Sequence, residues 1–156
     1  MKAKYVVLVI VCLLFSQAGR AQTNDQLFEK YADMDNVTSV YISKAMFQMM
    51  PVAETAGLSL MNMKGKVESL QVLNTERMDL VPQMRNEFSK LIKNSHSELM
   101  RVRDGKTKAT FYANMQGETV KDLLMLADTD STFTVIQLVG NFTLQDIQEI
   151  TQEFEK

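Results

Sequence analysis

The spacing of apolar and polar residues predicts an alternation of helices and strands in the first half of the chain. Apolar side chains recur every three or four residues over residues 27–34, which is typical of a helix. Val37–Ser43 alternates and is rich in β-branched residues, as strands are. Ser43 can then cap a short helix over residues 44–50, which Pro51 ends.

In the second half of the chain, the same spacing predicts a strand, a longer helix, a run of strands and a last helix. Residues 66–74 have the pattern of a strand, and apolar positions over residues 80–92 define one face of a helix of about four turns. Four strand-like runs follow over residues 97–140, separated by short turns that contain Asp or Gly. Thr143 opens the last helix, with Asp146 three residues later as an Asp variant of the capping box.

This order of elements predicts the fold class α+β, with a largely antiparallel sheet, a C-terminal four-strand meander and helices packed on one face. No internal repeat, low-complexity tract or linker divides the sequence. We therefore expect residues 22–156 to form a single α+β domain.

The first 21 residues have the features of a secretory signal peptide. Lys2 and Lys4 provide positive charge, Tyr5–Phe15 is an apolar run of 11 residues, and residues 19–21 (Gly-Arg-Ala) form a small-x-small cleavage pattern. The apolar run is well short of the ~20 residues that a membrane-spanning helix needs. We therefore expect an exported protein, periplasmic or envelope-associated, with no integral membrane segment once residues 1–21 are removed.

Composition excludes several classes of function. The one cysteine, Cys12, lies in the predicted leader, so the mature chain has no disulfide and no thiolate for catalysis or metal binding. Cleavage also removes three of the 17 basic residues, which leaves 14 basic and 19 acidic side chains and a net charge of −5 with His neutral. A mildly acidic domain is a poor nucleic-acid binder, so we expect no nucleic-acid partner.

Three long segments together resemble one known family. They are LFEKYADMDNVTSVYISKAMFQMM from residue 27, SELMRVRDGKTKATFYA from residue 97, and VKDLLMLADTDSTFTVIQLVGNFTLQDIQEI from residue 120. In order and spacing they are similar to the domain of unknown function 4252 family, small exported proteins of Bacteroidetes. The resemblance implies an envelope role and supplies no catalytic residue.

The sequence contains few groups that could carry out catalysis. His96 is the single histidine, and we expect it to be exposed at a junction between helix and strand, because no partner for a general base is near it in the sequence. No motif of a nucleophile, a zinc protease or a phosphate-binding loop is present. We therefore predict no enzyme, no catalytic residue and no cofactor. The alternative is a carboxylate-dependent hydrolase acting in the envelope, because one sequence does not show which acids meet in space.

Residues 42–65 are unusually rich in methionine, which is compatible with a copper(I) thioether site, a docking surface or ordinary core. Met46, Met49 and Met50 have the i, i+3, i+4 spacing of a buried helical stripe, so we predict core packing and no metal site. Residues 52–63 have no clean period and form the candidate docking surface, through Leu58, Leu60, Met61 and Met63.

A basic hairpin is the second candidate surface. If the Asp-Gly pair at 104–105 forms a type I′ turn, Arg103 opposes Lys106 and Arg101 opposes Lys108. Four cations then share the solvated face of the hairpin, where they could bind an anionic ligand or an acidic partner. Diagonal pairing with acids of the next strand, such as Asp122 or Asp128, is the alternative explanation.

These observations lead to one main hypothesis. The chain is expected to be an exported, non-enzymatic cell-envelope protein that binds an envelope protein or an anionic ligand. The basic hairpin and the methionine-rich docking surface are the two candidate binding surfaces.

Overall fold

The structure is a computed structural model that describes residues 24–49, 54–55, 58–59 and 65–151. Several predictions lie outside the described residues: the leader at 1–21, Met50, and the docking residues Leu60, Met61 and Met63, together with the side chain of Leu58.

The described residues form helices and strands in an order close to that predicted. The helices are α1 (Asn24–Ala32), α2 (Lys44–Met49), α3 (Val81–Ser95) and α4 (Leu144–Thr151). The strands are β1 (Val37–Ser43), β2 (Glu54–Thr55), β3 (Leu58–Ser59), β4 (Val67–Thr75), β5 (Ser97–Asp104), β6 (Thr107–Gln116), β7 (Thr119–Asp128) and β8 (Phe133–Phe142). The fold class α+β is confirmed.

Six of the strands form one antiparallel sheet, in the order β1-β4-β8-β7-β6-β5. Strands β5 to β8 are successive neighbours, so the predicted four-strand meander is confirmed. β4 lies between β1 and β8, and β1 and β5 are the two edges. Among the described strands, the short strands β2 and β3 pair with each other and do not join this sheet.

Helices cover both faces of the sheet, whereas the sequence predicted helices on one face. α1 and α3 pack on one side, the α1/α3 face, where the rings of Phe28 and Phe88 meet edge to face with centroids 5.3 Å apart. α2 and α4 contribute Phe47 and Ile147 to the apolar cluster on the other side, the α2/α4 face. The inner strands require this cover, because residues 123–126 are all buried and successive strand residues point to opposite faces.

α2 buries its phenylalanine and exposes its described methionines. Phe47 is fully buried, whereas Met46 and Met49 are 48% and 73% exposed. The predicted burial of Met46 and Met49 is therefore wrong. α2 has only six residues and turns one large side chain fully toward the sheet. The ring of Phe47 occupies that position, since aromatic rings bury large apolar areas.

α4 begins as the capping pattern predicts. The backbone N–H of Thr143 donates to Asp146 Oδ2 at 2.7 Å, and the N–H of Asp146 donates to Thr143 Oγ1 at 3.2 Å. Lys66 Nζ also donates to Asp146 Oδ1 at 2.6 Å. The cap therefore ties α4 to the residue that precedes β4.

Candidate functional site

β1 is an edge strand with no described strand on its free side. It pairs with β4 through seven consecutive residues without a register shift. Its sequence, VTSVYIS, has no charge and no proline, and Tyr41 and Val40 are 63% and 39% exposed. Soluble proteins usually protect an edge with a charge, a proline or a bulge. β1 has none of these, so its outward N–H and C=O groups can pair with an extended segment.

β5, at the opposite edge, is a different kind of strand. A register shift between Glu98 and Met100 interrupts its pairing with β6. Arg101, Arg103 and Asp104 are charged and exposed along the rest of the strand. Because charges and bulges discourage indiscriminate pairing, β1 is the less protected of the two edges.

A groove of about 450 Å³ lies between α1 and the β1–β4 pair, on the α1/α3 face. It is lined by Asp25, Phe28, Glu29, Ala32, Ser39, Tyr41, Ser69 and Gln71. Asp25 and Glu29 stand one turn apart on the exposed side of α1. Among the described residues neither forms a salt bridge, and Asp25 accepts a hydrogen bond from Gln71 at 3.3 Å. Uncompensated negative charge therefore lies beside the open edge.

A partly buried polar cluster, formed by Asn24, Ser95, His96, Asp122 and Gln137, lies on the same face at the start of α1. Asp122 Oδ2 accepts hydrogen bonds from Asn24 Nδ2 at 2.6 Å and from Gln137 Nε2 at 2.8 Å. His96 Nε2 is 3.4 Å from the same oxygen. The His96 side chain is 1% exposed, so the prediction of an exposed histidine is wrong.

Ser95, His96 and Asp122 occur together, as in a catalytic triad, but their geometry does not suit nucleophilic catalysis. Ser95 Oγ donates to the carbonyl of Leu91 at 3.0 Å and lies 2.7 Å from His96 Nδ1. With its proton on that carbonyl, the hydroxyl accepts from Nδ1, whereas a triad serine gives its proton to the imidazole. The hydrogen bonds of Asp122 join α1, β7 and β8.

Sequence reasoning missed the polar cluster, although one signal for it exists. Asp122 shares its side of β7 with buried Leu124, and Gln137 shares its side of β8 with buried Val135. A polar residue on the inward side of an alternating strand indicates a buried partner. The partners were not predictable, because Asn24 is 98 residues from Asp122 in the sequence. Asp122, which the sequence offered as an acid for the basic hairpin, belongs to this cluster instead.

The basic hairpin forms, but its turn is displaced by one residue from the prediction. Gly105 and Lys106 are the two turn residues, so Arg103 lies opposite Lys108 and the expected pairs of Arg103 with Lys106 and Arg101 with Lys108 are wrong. Only Gly105 of the turn has a positive φ, 56°. A type I′ turn needs positive φ at both positions, whereas a type II′ turn needs it only at the first, where glycine is favoured.

The candidate cations of the hairpin do not all share one face. Arg101, Arg103 and Lys108 lie on the α1/α3 face of β5 and β6, while Lys106 is at the tip of the turn. Most have an acid beside them: Arg101 binds Glu98 at 2.7 Å, Lys106 binds Asp130, and Lys108 lies opposite Asp128 in the register. Within the described part of the chain, Arg103 has no salt bridge.

Two further kinds of feature are missing from the described residues. None of their helices is long and apolar enough to cross a membrane. No group of three or more His, Cys, Asp or Glu side chains among them is placed to hold a metal ion.

Comparison with known proteins supports the resemblance seen in the sequence. The model of the family described as Domain of unknown function (DUF4252) matches residues 31–150, which is most of the chain. No curated protein matches. The matched residues include β1, the basic hairpin and all of the polar cluster except Asn24.

Proposed function

The chain belongs to the domain of unknown function 4252 family, and on that premise we propose that it is an exported, non-enzymatic cell-envelope domain that binds a partner by strand addition at β1. The observation that carries the proposal is the edge of β1, which is regular and uncharged and which no described strand pairs with on its outer side. In strand addition, main-chain hydrogen bonds supply affinity and alternate side chains supply specificity.

The surroundings of β1 define what an added strand would meet. Ser39 and Tyr41 face the groove on the α1/α3 face, beside the carboxylates of α1. Val40 and Ile42 point to the α2/α4 face, where Ile42 packs against the apolar cluster. Alternate residues of the partner would therefore meet an acidic environment and an apolar one.

Site-specific crosslinking tests the proposed surface. A photoreactive phenylalanine analogue at Tyr41 should crosslink a partner in intact envelopes, whereas the same analogue at Met78 should not. Met78 is a suitable control because it is 49% exposed and lies outside β1. No adduct at Tyr41, or equal adducts at both positions, would contradict strand addition at β1.

A charge placed on the edge gives a second test of the same surface. Val40→Lys should abolish the Tyr41 crosslink, because a lysine on an edge strand discourages another strand from pairing. Met49→Lys is the matched control, since Met49 is more exposed than Val40 and lies on α2. A Val40→Lys protein that keeps its crosslink at parental yield would count against the proposal.

Export is tested separately. Cell fractionation should recover the protein from the periplasm or envelope, and its intact mass should correspond to a chain that begins at Gln22. Replacement of two leucines of the apolar run, Leu13→Arg with Leu14→Arg, should keep the full-length chain in the cytoplasm. A full-length parent chain in the cytoplasmic fraction would overturn the predicted export.

The groove also bears on the hydrolase alternative. Glycoside hydrolysis by paired carboxylates needs acids on the two sides of the bond that breaks. Asp25 and Glu29 line one groove but stand on the same helix, α1, and so on the same wall. The structure therefore supports partner binding at the edge of β1 better than it supports hydrolysis in the groove.

A further inference from the structure

We propose that the segment that β1 accepts is β5 of a second copy of this chain, so that the sheet continues from one molecule to the next. This inference rests on the proposed function, because it names the partner of the same edge. Three features support it: the direction of the strands, the side chains on each face, and the charges that would meet.

The strand order gives β5 the correct direction. Each strand of β1-β4-β8-β7-β6-β5 is antiparallel to its neighbour. Across six strands, β5 therefore runs antiparallel to β1. A second copy displaced along the sheet presents β5 to β1 in the antiparallel sense, with its α1/α3 face on the same side.

One register brings unlike charges together on the α1/α3 face. Arg101 lies opposite Thr110, which pairs with Leu126 of the α1/α3 cluster, so Arg101 and Arg103 point to that face. If Arg101 of one copy lies opposite Tyr41 of the next, Arg103 lies opposite Ser39. Both guanidinium groups then stand beside the groove that carries the carboxylates of Asp25 and Glu29.

The spacing of the charges also agrees. Residues two apart on a strand are separated by about 6.8 Å, since each residue advances about 3.4 Å. Asp25 and Glu29 are four residues apart on a helix, which is about 6 Å along its axis. To reach the groove, Arg101 would give up its exposed salt bridge with Glu98. This loss opposes the contact between copies only weakly, because exposed salt bridges are worth about 0–1 kcal/mol.

The same register matches apolar residues on the α2/α4 face. Val102 of one copy lies opposite Val40 of the next, and Met100 lies opposite Ile42. Three of these side chains are partly buried against the apolar cluster on this face: Ile42, Met100 and Val102. The fourth, Val40, is apolar and exposed, so Val102 of the second copy would cover it. The pairing uses only the regular part of β5, beyond the bulge between Glu98 and Met100.

Pairing of like edges is opposed by charge. Two β1 strands joined about a two-fold axis perpendicular to the sheet would bring two acidic grooves together, and two β5 strands would do the same with their arginines. Like charges placed opposite one another destabilise a strand pair. The contact between unlike edges is heterologous, so it builds chains of copies and does not close into a dimer.

Sedimentation of charge-reversed proteins tests this assembly. The parent should show concentration-dependent association, and 1 M NaCl should weaken it at least about tenfold, because the Debye length is then about 3 Å. Arg101→Glu with Arg103→Glu should abolish self-association, and so should Asp25→Lys with Glu29→Lys. An equimolar mixture of the two variants should associate again, since each basic edge then meets an acidic one. Lys90→Glu with Lys93→Glu, on α3, is the matched control and should behave as the parent.

Each outcome decides the inference. A parent that stays monomeric at millimolar concentration overturns it, and so does a mixture of the two variants that stays monomeric. Association that survives both charge reversals would place the contact elsewhere. If the parent is monomeric while Tyr41 still crosslinks a different envelope protein, the proposed strand addition stands and a second copy of the chain is not the partner.

Discussion

A β-carbon added at Gly140 would lie 2.1 Å from the carbonyl oxygen of Lys66. The two residues approach this closely because the N–H of Asn141 donates to the same carbonyl at 3.0 Å, where the pairing of β4 with β8 shifts register. Only a residue without a side chain fits between the two backbones. β4 and β8 are inner strands, so this contact supports the centre of the sheet.

Gly140→Ala should therefore lower the free energy of unfolding by about 3 kcal/mol, the upper range for an added methyl group that forces backbone to move. Urea denaturation measures the change. Gly65→Ala is the control, because a β-carbon there meets nothing within 4 Å, and its effect should stay within about 0.5 kcal/mol. Similar losses in the two variants would contradict the packing argument.

The cap of α4 should make stability depend on pH. Burial alone would raise the pKa of Asp146, but hydrogen bonds from Lys66 and Thr143 outweigh it and hold the pKa below its ordinary value. The folded pKa is then lower than the unfolded one. The carboxylate of Asp146 therefore adds to the free energy of unfolding at pH values above its unfolded pKa. This contribution is lost as the pH falls through the folded pKa.

Asp146→Asn should lower the free energy of unfolding by about 1 kcal/mol at neutral pH. In acid, the variant and the parent should have the same free energy of unfolding. Urea unfolding over a series of pH values measures this. Asp130→Asn, in the exposed pair with Lys106, should change little at any pH. A difference between Asp146→Asn and the parent that stays constant down to strongly acidic pH would show that the charge is not responsible.

The stability of the polar cluster should depend most on the carboxylate of Asp122. Asp122→Ala removes the acceptor of two amide donors, from Asn24 and Gln137, and leaves both without a described partner. We expect the free energy of unfolding to fall by about 2 kcal/mol, since a buried donor such as the Gln137 amide costs about 1–3 kcal/mol when left unpaired, whereas Asn24 is only partly buried. Asp122→Asn keeps one acceptor oxygen and should lose less. Thermal or urea unfolding that ranks the two variants in the opposite order would contradict the assigned hydrogen bonds.

Tyr31 should ionise only at a higher pH than a free tyrosine side chain. It is fully buried and donates to Glu87 Oε2 at 2.9 Å. Burial and then the carboxylate of Glu87 raise the pKa of Tyr31. The folded pKa therefore exceeds the unfolded one. The neutral phenol contributes fully to the free energy of unfolding below the unfolded pKa, and this contribution is lost as the pH rises through the folded pKa.

Spectrophotometric titration at alkaline pH measures the ionisation of Tyr31. Tyr31→Phe should remove the final phase of the absorbance change, which should coincide with unfolding. Tyr41→Phe should leave that final phase in place, because Tyr41 is an exposed residue of β1. A final phase that survives Tyr31→Phe would assign it to another residue.

Local structure was largely predictable from the order of residues alone. The alternation in Val37–Ser43, the pattern of α3 and the capping box of α4 each depend on neighbouring residues, and each gave an element close to its observed bounds. For α2 the helix was predicted correctly, but the side chains expected to be buried, Met46 and Met49, were wrong. Its period was helical, but the choice between Phe47 and the methionines for the buried position depends on what the sheet presents to it.

Which elements meet depends on the folded chain as a whole. The insertion of β4 between β1 and β8, the helices on both faces, and the meeting of Asn24 with Asp122 join residues far apart in the chain, and no local pattern encodes such pairs. The sequence contained VTSVYIS, but not the fact that this strand would lie at an edge. Among the described strands, β1 pairs with β4 and with no other, which leaves its second side open. This position makes an ordinary strand the candidate binding surface of the protein.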